Sequence, residues 1–407
     1  MTSEPTPHGH PVEALTSMEC GGYRAFDQPT SIELRRLNVI FGRNNTGKTT
    51  LARLPLFAAA SVAESPDLYA LATRGIRFGS SFRSLASAHQ PHPRIRFGMT
   101  WSDRDGNRRR LALDLQHLIT SGREQMVVPT AVEVDERRLP FPLEASGPEQ
   151  TALSGRERLT ELLDDAPRLR FEANVARLGD LLAGTIHVSS TRPPIEEIYP
   201  SRDPEQWSAA ETAFILARHD DLLTQVGAWF ESKLDHAAPE VEHGTFAFRL
   251  VMSSRQGGTS GDLVNLAEAG RGTQSVLPVA ALLTAVDSGL CQPQLMIVEE
   301  PEARLHPSAH GAVADLLISA ARRTQLVVET HSENLILRLR RRIAEGVLKK
   351  DDLGLYYIEP DYRVRRIEIE ETGAAADWPT GVFEYDVEEA QAIVQARLSS
   401  IGNPRSR

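Results

Sequence analysis

Apolar positions in this chain fall into short continuous runs set between polar loops. Leu37-Asn38-Val39-Ile40-Phe41, Gly184-Thr185-Ile186-His187-Val188, Gln294-Leu295-Met296-Ile297-Val298 and Gln325-Leu326-Val327-Val328-Glu329 each have the length of a strand covered on both faces. Residues 14–41 are strand-like, with Gly21-Gly22 as a turn, and Ile32-Glu33-Leu34 alternates. Tyr23-Arg24-Ala25-Phe26 stands where a nucleotide base or ribose could be met, and a hairpin turn accounts for it equally well. Arg94–Trp101 alternates with period two, Asp105-Gly106 is a hairpin turn, and Leu111–Leu115 returns. Helical spacing follows over Arg156–Leu182 and Pro204–Leu234, strand over Val241–Val251, and a turn over residues 253–261. From there to Glu359 helix and strand alternate, as in a parallel sheet with covering helices. The tail predicts a strand over Arg363–Glu370 and a helix over Val387–Leu398, started by Asp386 with Glu389.

This pattern predicts an α/β protein. Its parts are a disordered arm (1–12), an N-terminal part of the head with a β-rich lobe (13–115) and a largely helical insertion (116–240). A C-terminal part of the head (241–360) and a strand-and-helix tail (361–407) complete it. Sustained heptads and internal repeats are absent. Pro55 falls inside the helix that starts near Thr50, too far along for a first-turn proline, and predicts a bend.

Composition narrows the function classes. The net charge of −10 over 407 residues excludes a uniformly basic nucleic-acid coat, although local stripes remain open. Arg108, Arg109 and Arg110 just past the hairpin turn read as a solvated edge strand or, more sharply, as phosphate contacts with DNA. Arg338, Arg340, Arg341 and Arg342 lie outward on a helix whose Leu335, Leu339 and Ile343 share one face. That helix is either a solvated surface or a nucleic-acid patch. The two cysteines, Cys20 and Cys291, suggest no disulfide framework and fit a reducing cytosol. No run of 18 apolar residues and no signal-peptide core occur, so a cytoplasmic protein without a membrane anchor is expected. His8 and His10 belong to the arm.

The chemistry is carried by Gly42-Arg43-Asn44-Asn45-Thr46-Gly47-Lys48-Thr49-Thr50, which satisfies G-x-x-x-x-G-K-[ST] between a strand and a helix. The glycines let the loop curl so that backbone N–H groups point at a phosphate. Lys48 is expected at the β- and γ-phosphates of ATP and the Thr49 hydroxyl on Mg2+. Glu299 and Glu300 end an apolar strand. Glu299 is expected to hold Mg2+ and Glu300 to orient or deprotonate the attacking water. His331, just past the strand Gln325–Glu329, is either a γ-phosphate switch or a capping histidine.

Together these residues resemble the ABC-type ATPases of the SMC, RecF and OLD group. The resemblance is carried by Phe41–Thr50, Glu268–Pro278, Val298-Glu299-Glu300-Pro301-Glu302-Ala303-Arg304-Leu305-His306-Pro307 and Glu329-Thr330-His331-Ser332. It implies a P-loop NTPase fold, an ATPase head with a mixed sheet, a β-rich lobe and a helical insertion. It further implies that Gly270, Gly272 and Gln274 belong to a signature loop meeting the partner subunit's nucleotide, so that heads dimerise over Mg-ATP. Gln90 is the candidate glutamine-loop ligand to the metal. Leu153-Ser154-Gly155-Arg156-Glu157 resembles a transporter signature but lies far too early in the chain. The long coiled coil of SMC proteins is missing, and too few residues follow His331 for the Toprim nuclease domain of OLD proteins. By resemblance the setting is antiphage defence or DNA repair with a separately encoded effector. A nucleotide-gated scaffold with little turnover is the alternative, and a transporter ATPase subunit the weakest one.

Overall fold

The structure is a computed structural model. It describes residues 14–87, 92–103, 105–119, 125–135, 137–141, 154–253, 263–375 and 377–379. The expected arm, Gln90, the turn after Ser253 and the tail helix lie outside the described residues.

The apolar runs form one six-stranded sheet in the order Thr185–Val188, Leu295–Glu299, Gln325–Thr330, Leu37–Gly42, Leu353–Ile358, Val364–Arg366. Every pair is parallel except the last. The period of two shows in the packing. Leu37, Val39 and Phe41 enter one core with Met296, Val298, Leu326 and Val328. Ile40 enters the other with Leu295, Ile297 and Val327. Helices Arg271–Asp287, His310–Ala321 and Glu333–Ala344 supply side chains to the first core. Helices Leu54–Ala63 and Asp165–Ala183 supply the second. Parallel pairing puts the carboxyl ends of Val188, Glu299, Thr330, Gly42 and Ile358 along one edge, where ligands bind in open α/β sheets.

A second six-stranded sheet is wholly antiparallel, in the order Thr30–Glu33, Leu15–Gly21, Arg94–Ser102, Arg108–Ile119, Gln125–Val134, Arg137–Pro140. Its apolar face, including Met18, Phe97, Trp101, Leu113 and Val132, packs into the second core. Its other face carries an ion-pair lattice. Arg96 meets Glu19 and Asp114 at 2.9 Å and Glu133 at 2.8 Å, while Arg110 meets Glu19 and Glu133 at 2.7 Å each.

Several expectations change. The strand bearing Arg108–Arg110 is interior to its sheet, so the edge-strand reading does not hold, and Arg109 and Arg110 pair with neighbouring carboxylates. Strands continue to Pro140, beyond the expected start of the helical insertion at 116. Thr185–Val188, expected within that insertion, is the edge strand of the head sheet. Both differences come from long-range pairing, which local spacing does not record. Pro55 proves to be a first-turn proline: the first helix ends at Ala52, and a second, Leu54–Ala63, restarts at Arg53.

Asn38 pins the start of the P-loop strand. Fully buried, it accepts from Arg35 N at 2.7 Å and donates to Arg35 O at 2.8 Å and Leu326 O at 2.9 Å. Replacing Asn38 by Ala strands those buried groups and is expected to cost about 2–3 kcal/mol in urea unfolding. A loss below about 0.5 kcal/mol, the level of a surface change, contradicts this role.

Candidate functional site

The loop after Leu37–Gly42 folds as the motif requires. Gly42 has φ +154°, and a Cβ there would stand 2.8 Å from Ile358 O. Gly47 has φ +91°, and its Cβ would meet Ala25 at 3.0 Å and the Phe26 ring at 3.2 Å. Both positions therefore exclude side chains by conformation and by space. Thr46 Oγ1 and Lys48 Nζ donate to Arg43 O at 2.9 and 2.6 Å, closing the loop. Lys48 is buried, and burial lowers its pKa against the opposing pull of Glu329 and Glu300.

Strand register decides which acid meets the loop. Glu299 is level with Glu329, and Glu329 with Ile40. The strand Gln325–Thr330 separates the carboxylate strand from the P-loop strand, so Glu329 is the nearer acid. Thr49 Oγ1 donates to Glu329 Oε1 at 2.7 Å. Glu329 is 3% exposed, and its other oxygen, Oε2, is buried without a hydrogen-bond partner among the described residues. Burial pushes its pKa up to about 7, helped by the charges of Glu299 and Glu300 and opposed by Thr49 and Lys48. The Thr49 hydroxyl and a buried carboxylate with one unpartnered oxygen make a donor set that suits a hard divalent cation.

Glu299 is placed differently from the expectation that it holds the metal. Arg53 Nε and Nη2 donate to its two oxygens at 2.5 and 2.7 Å. His187 Nε2 lies 2.7 Å from Oε1, and Ser190 N donates to Oε2 at 3.1 Å. Burial would raise this carboxyl, but the hydrogen bonds from Arg53 and His187 outweigh it and hold the pKa at about 2. Glu299 is therefore a committed anion, and Glu329 takes the position at Thr49.

Glu300 and His331 face the same cavity. His331 Nε2 lies 4.0 Å from Glu300 Oε1, and each side chain is about one-third exposed (36% and 37%). Burial and the Lys48 charge lower the His331 pKa, against the pull of Glu300. Glu302, which is buried, holds the backbone behind the histidine. Its Oε1 accepts from Thr330 Oγ1 at 2.6 Å and from His331 N at 2.9 Å. One ligand atom each from Glu300, Glu329 and His331 falls within 4.8 Å of the others. The cavity measures about 820 Å3, with Asn44, Asn45, Gly47, Lys48, Thr49 and Thr50 on one wall and Arg24, Ala25 and Ser84 on another. The turn at Arg24 thus lines the site, while Tyr23 and Phe26 are core.

The signature-like residues do not line this cavity. Gly270 is exposed ahead of the helix Arg271–Asp287. A Cβ on Gly272 would stand 2.7 Å from Arg304 O, so the segment packs against the loop that follows the carboxylates. The Gln274 side chain is engaged within its own loop. Its amide donates to Ala267 O at 2.9 Å and Ala269 O at 2.8 Å, folding its own loop. Ser154 and Glu157, the transporter-like decoy, form an ordinary helix capping box.

The arginine helix is also committed within the chain. Arg338 and Arg342 pair with Asp315 at 3.1 and 2.7 Å, and Arg342 and Arg341 with Glu345 at 2.6 and 2.7 Å. Arg340 donates to Gly373 O at 2.9 Å and lies over the Trp378 ring. These contacts clamp the helix to His310–Ala321 and the tail.

The raised pKa of Glu329 has a signed consequence. Near the usual glutamate value of 4.5 the carboxyl keeps its proton in the folded state; as pH rises through about 7 the folded state must give it up where burial disfavours the anion. Stability in the absence of metal and nucleotide is therefore lost across that window. Glu329→Gln is expected to be more stable than wild type by about 3 kcal/mol at pH 8, the difference shrinking below about 1 kcal/mol at pH 5. Urea unfolding in chelator measures it, and a difference constant with pH contradicts it.

Comparison with known proteins places the chain. No curated protein matches it. Among solved structures, an Smc head bound to the C-winged helix domain of ScpA is similar at 11% identity and TM-score 0.49, covering 87% of this chain and 97% of that one. The SMC head domain from Thermotoga maritima is similar at 10% identity and TM-score 0.41, covering 88% and 99%. The Smc head with an extended coiled coil bound to the C-terminal domain of ScpA, from Pyrococcus furiosus, is similar at 10% identity and TM-score 0.47, covering 95% and 99%. A family profile described as "AAA domain, putative AbiEii toxin, Type IV TA system" matches residues 37–338, which hold the P-loop, the carboxylate strand and His331. With its P-loop at the carboxyl edge of a parallel sheet, the chain is a P-loop protein that belongs to that AAA-domain family.

Proposed function

We propose that the chain is an ATP-binding and ATP-hydrolysing switch of the SMC/OLD-like ABC class. The observation that carries this reading is the convergence of Lys48, Thr49, Glu329, Glu300 and His331 on one cavity. Mg2+ would be held by Thr49 and Glu329, and when bound it supplies charge neutralisation at the phosphates. The loop Gly42–Thr50 binds the triphosphate through backbone N–H groups and Lys48. Glu300, exposed enough to reach water, orients or deprotonates the nucleophile, and His331 senses the terminal phosphate.

Gly270 and Gly272 are offered to a second head, which closes over the nucleotide. That Gly270 is exposed and lies outside the cavity supports contact in trans. Closure is an equilibrium shifted by nucleotide, and a separately encoded effector in antiphage defence or DNA repair would read it. Among the described residues no helix is long and apolar enough to cross a membrane.

One observation favours a slow, scaffold-like switch: Arg53 occupies both oxygens of Glu299, the acid expected to serve the metal.

Lys48→Ala is expected to weaken ATP binding at least about tenfold by titration with a fluorescent analogue, and unchanged affinity contradicts the site. Glu300→Gln is expected to keep that affinity and lose about 100-fold or more in phosphate release. A wild type as slow as Glu300→Gln selects the scaffold.

A further inference from the structure

The segment 189–194, Ser-Ser-Thr-Arg-Pro-Pro, reads in the sequence as a mere connection. In the structure it follows the edge strand Thr185–Val188 and closes over the end of the carboxylate strand. His187 and Ser190 take the side chain of Glu299. Arg192 takes the backbone: its Nη2 donates to Glu299 O at 2.8 Å and to Glu300 O at 2.9 Å.

The backbone it holds is unusual. Glu300 has φ +42°, a left-handed conformation that disfavours a residue with a Cβ. Such a residue persists only when its surroundings over-determine it. Here they do so from both sides of the peptide. Glu300 N donates to Glu329 O at 2.7 Å, and Glu300 O accepts from Arg192 at 2.9 Å and from Ala303 N at 3.0 Å. Without the turn, Glu300 would continue the alternation of the strand.

Arg192 is also costly where it stands. Its Nε and Nη1 are buried with no hydrogen-bond partner among the described residues. Among the described residues its guanidinium bonds only the two carbonyls, so its own donors do not explain the placement. The nearby charges of Glu299, Glu302 and Glu300 favour it, although burial lowers its pKa more.

We propose that Arg192 is a positioning residue for Glu300. By bridging two successive carbonyls it fixes the left-handed turn that carries the Glu300 carboxylate into the cavity beside His331. The kinetic half of this inference rests on the reading of Glu300 as the hydrolytic acid. The structural half does not.

Two readouts on Arg192→Ala test it. A crystal structure of the variant is expected to show Glu300 relaxed to negative φ with its carboxylate turned out of the cavity. This is read without turnover, so it fails separately from the ATPase reading. An unchanged Glu300 backbone overturns the proposal. In kinetics, the variant is expected to keep nucleotide affinity within about threefold of wild type and to lose at least about thirtyfold in turnover. In a Glu300→Gln background the same substitution is expected to change turnover by less than about twofold, because Arg192 acts only through that carboxylate. Equal losses in both backgrounds overturn it. If alanine does not fold, Arg192→Gln is carried through the same measurements with the same expected directions.

Discussion

The pairing of Arg53 with Glu299 is the interaction on which the rest of the site depends. Three glutamates end neighbouring strands or the turn beyond them, and unscreened they would repel. Arg53 neutralises the one that is wholly buried and holds it ionised. With Glu299 spoken for, Glu329 is left to Thr49 and Glu300 to the cavity. A buried ion pair adds little stability over an apolar pair, but removing one partner leaves a charge in a costly place. The pair therefore acts more as a constraint on geometry than as a source of stability.

That pairing reaches back to a feature of local sequence. The first helix after the P-loop stops at Ala52, and Pro55 starts the next one. Arg53 stands at the joint, and its side chain reaches Glu299 from there. A second set of links runs through Glu302, which holds Thr330 and His331 while Arg304 of the same loop lies against Gly272. The carboxylates, His331 and the loop Gly270–Gln274 are thus physically continuous.

Much of this was legible in the sequence. The P-loop and its strand are local: nine consecutive residues carry the phosphate chemistry, and Leu37–Phe41 is apolar without interruption. The runs ending at Val298 and Glu329 were readable for the same reason. What was not legible needed strand order. Glu329 reads as the polar end of a buried strand until Gln325–Thr330 is known to lie beside the P-loop strand. Glu299 reads as the metal acid until Arg53 and His187, 246 and 112 residues away, are seen to hold it. Arg110, Arg338 and Arg342 look free in one dimension because acidic partners, Glu19 and Glu133 for the first and Asp315 for the other two, lie on other elements. Arg192 carried no local signal at all.

On the reading proposed above, the P-loop and the acids of two neighbouring strands form one nucleotide site. Crystals of the chain grown with Mg2+ and a non-hydrolysable ATP analogue test it most directly. The account predicts triphosphate density on the loop Gly42–Thr50, a metal ion shared by the Thr49 hydroxyl and the Glu329 carboxylate, and Glu300 facing the terminal phosphate. Triphosphate bound elsewhere, or a metal ion that leaves Glu329 turned away, would contradict it.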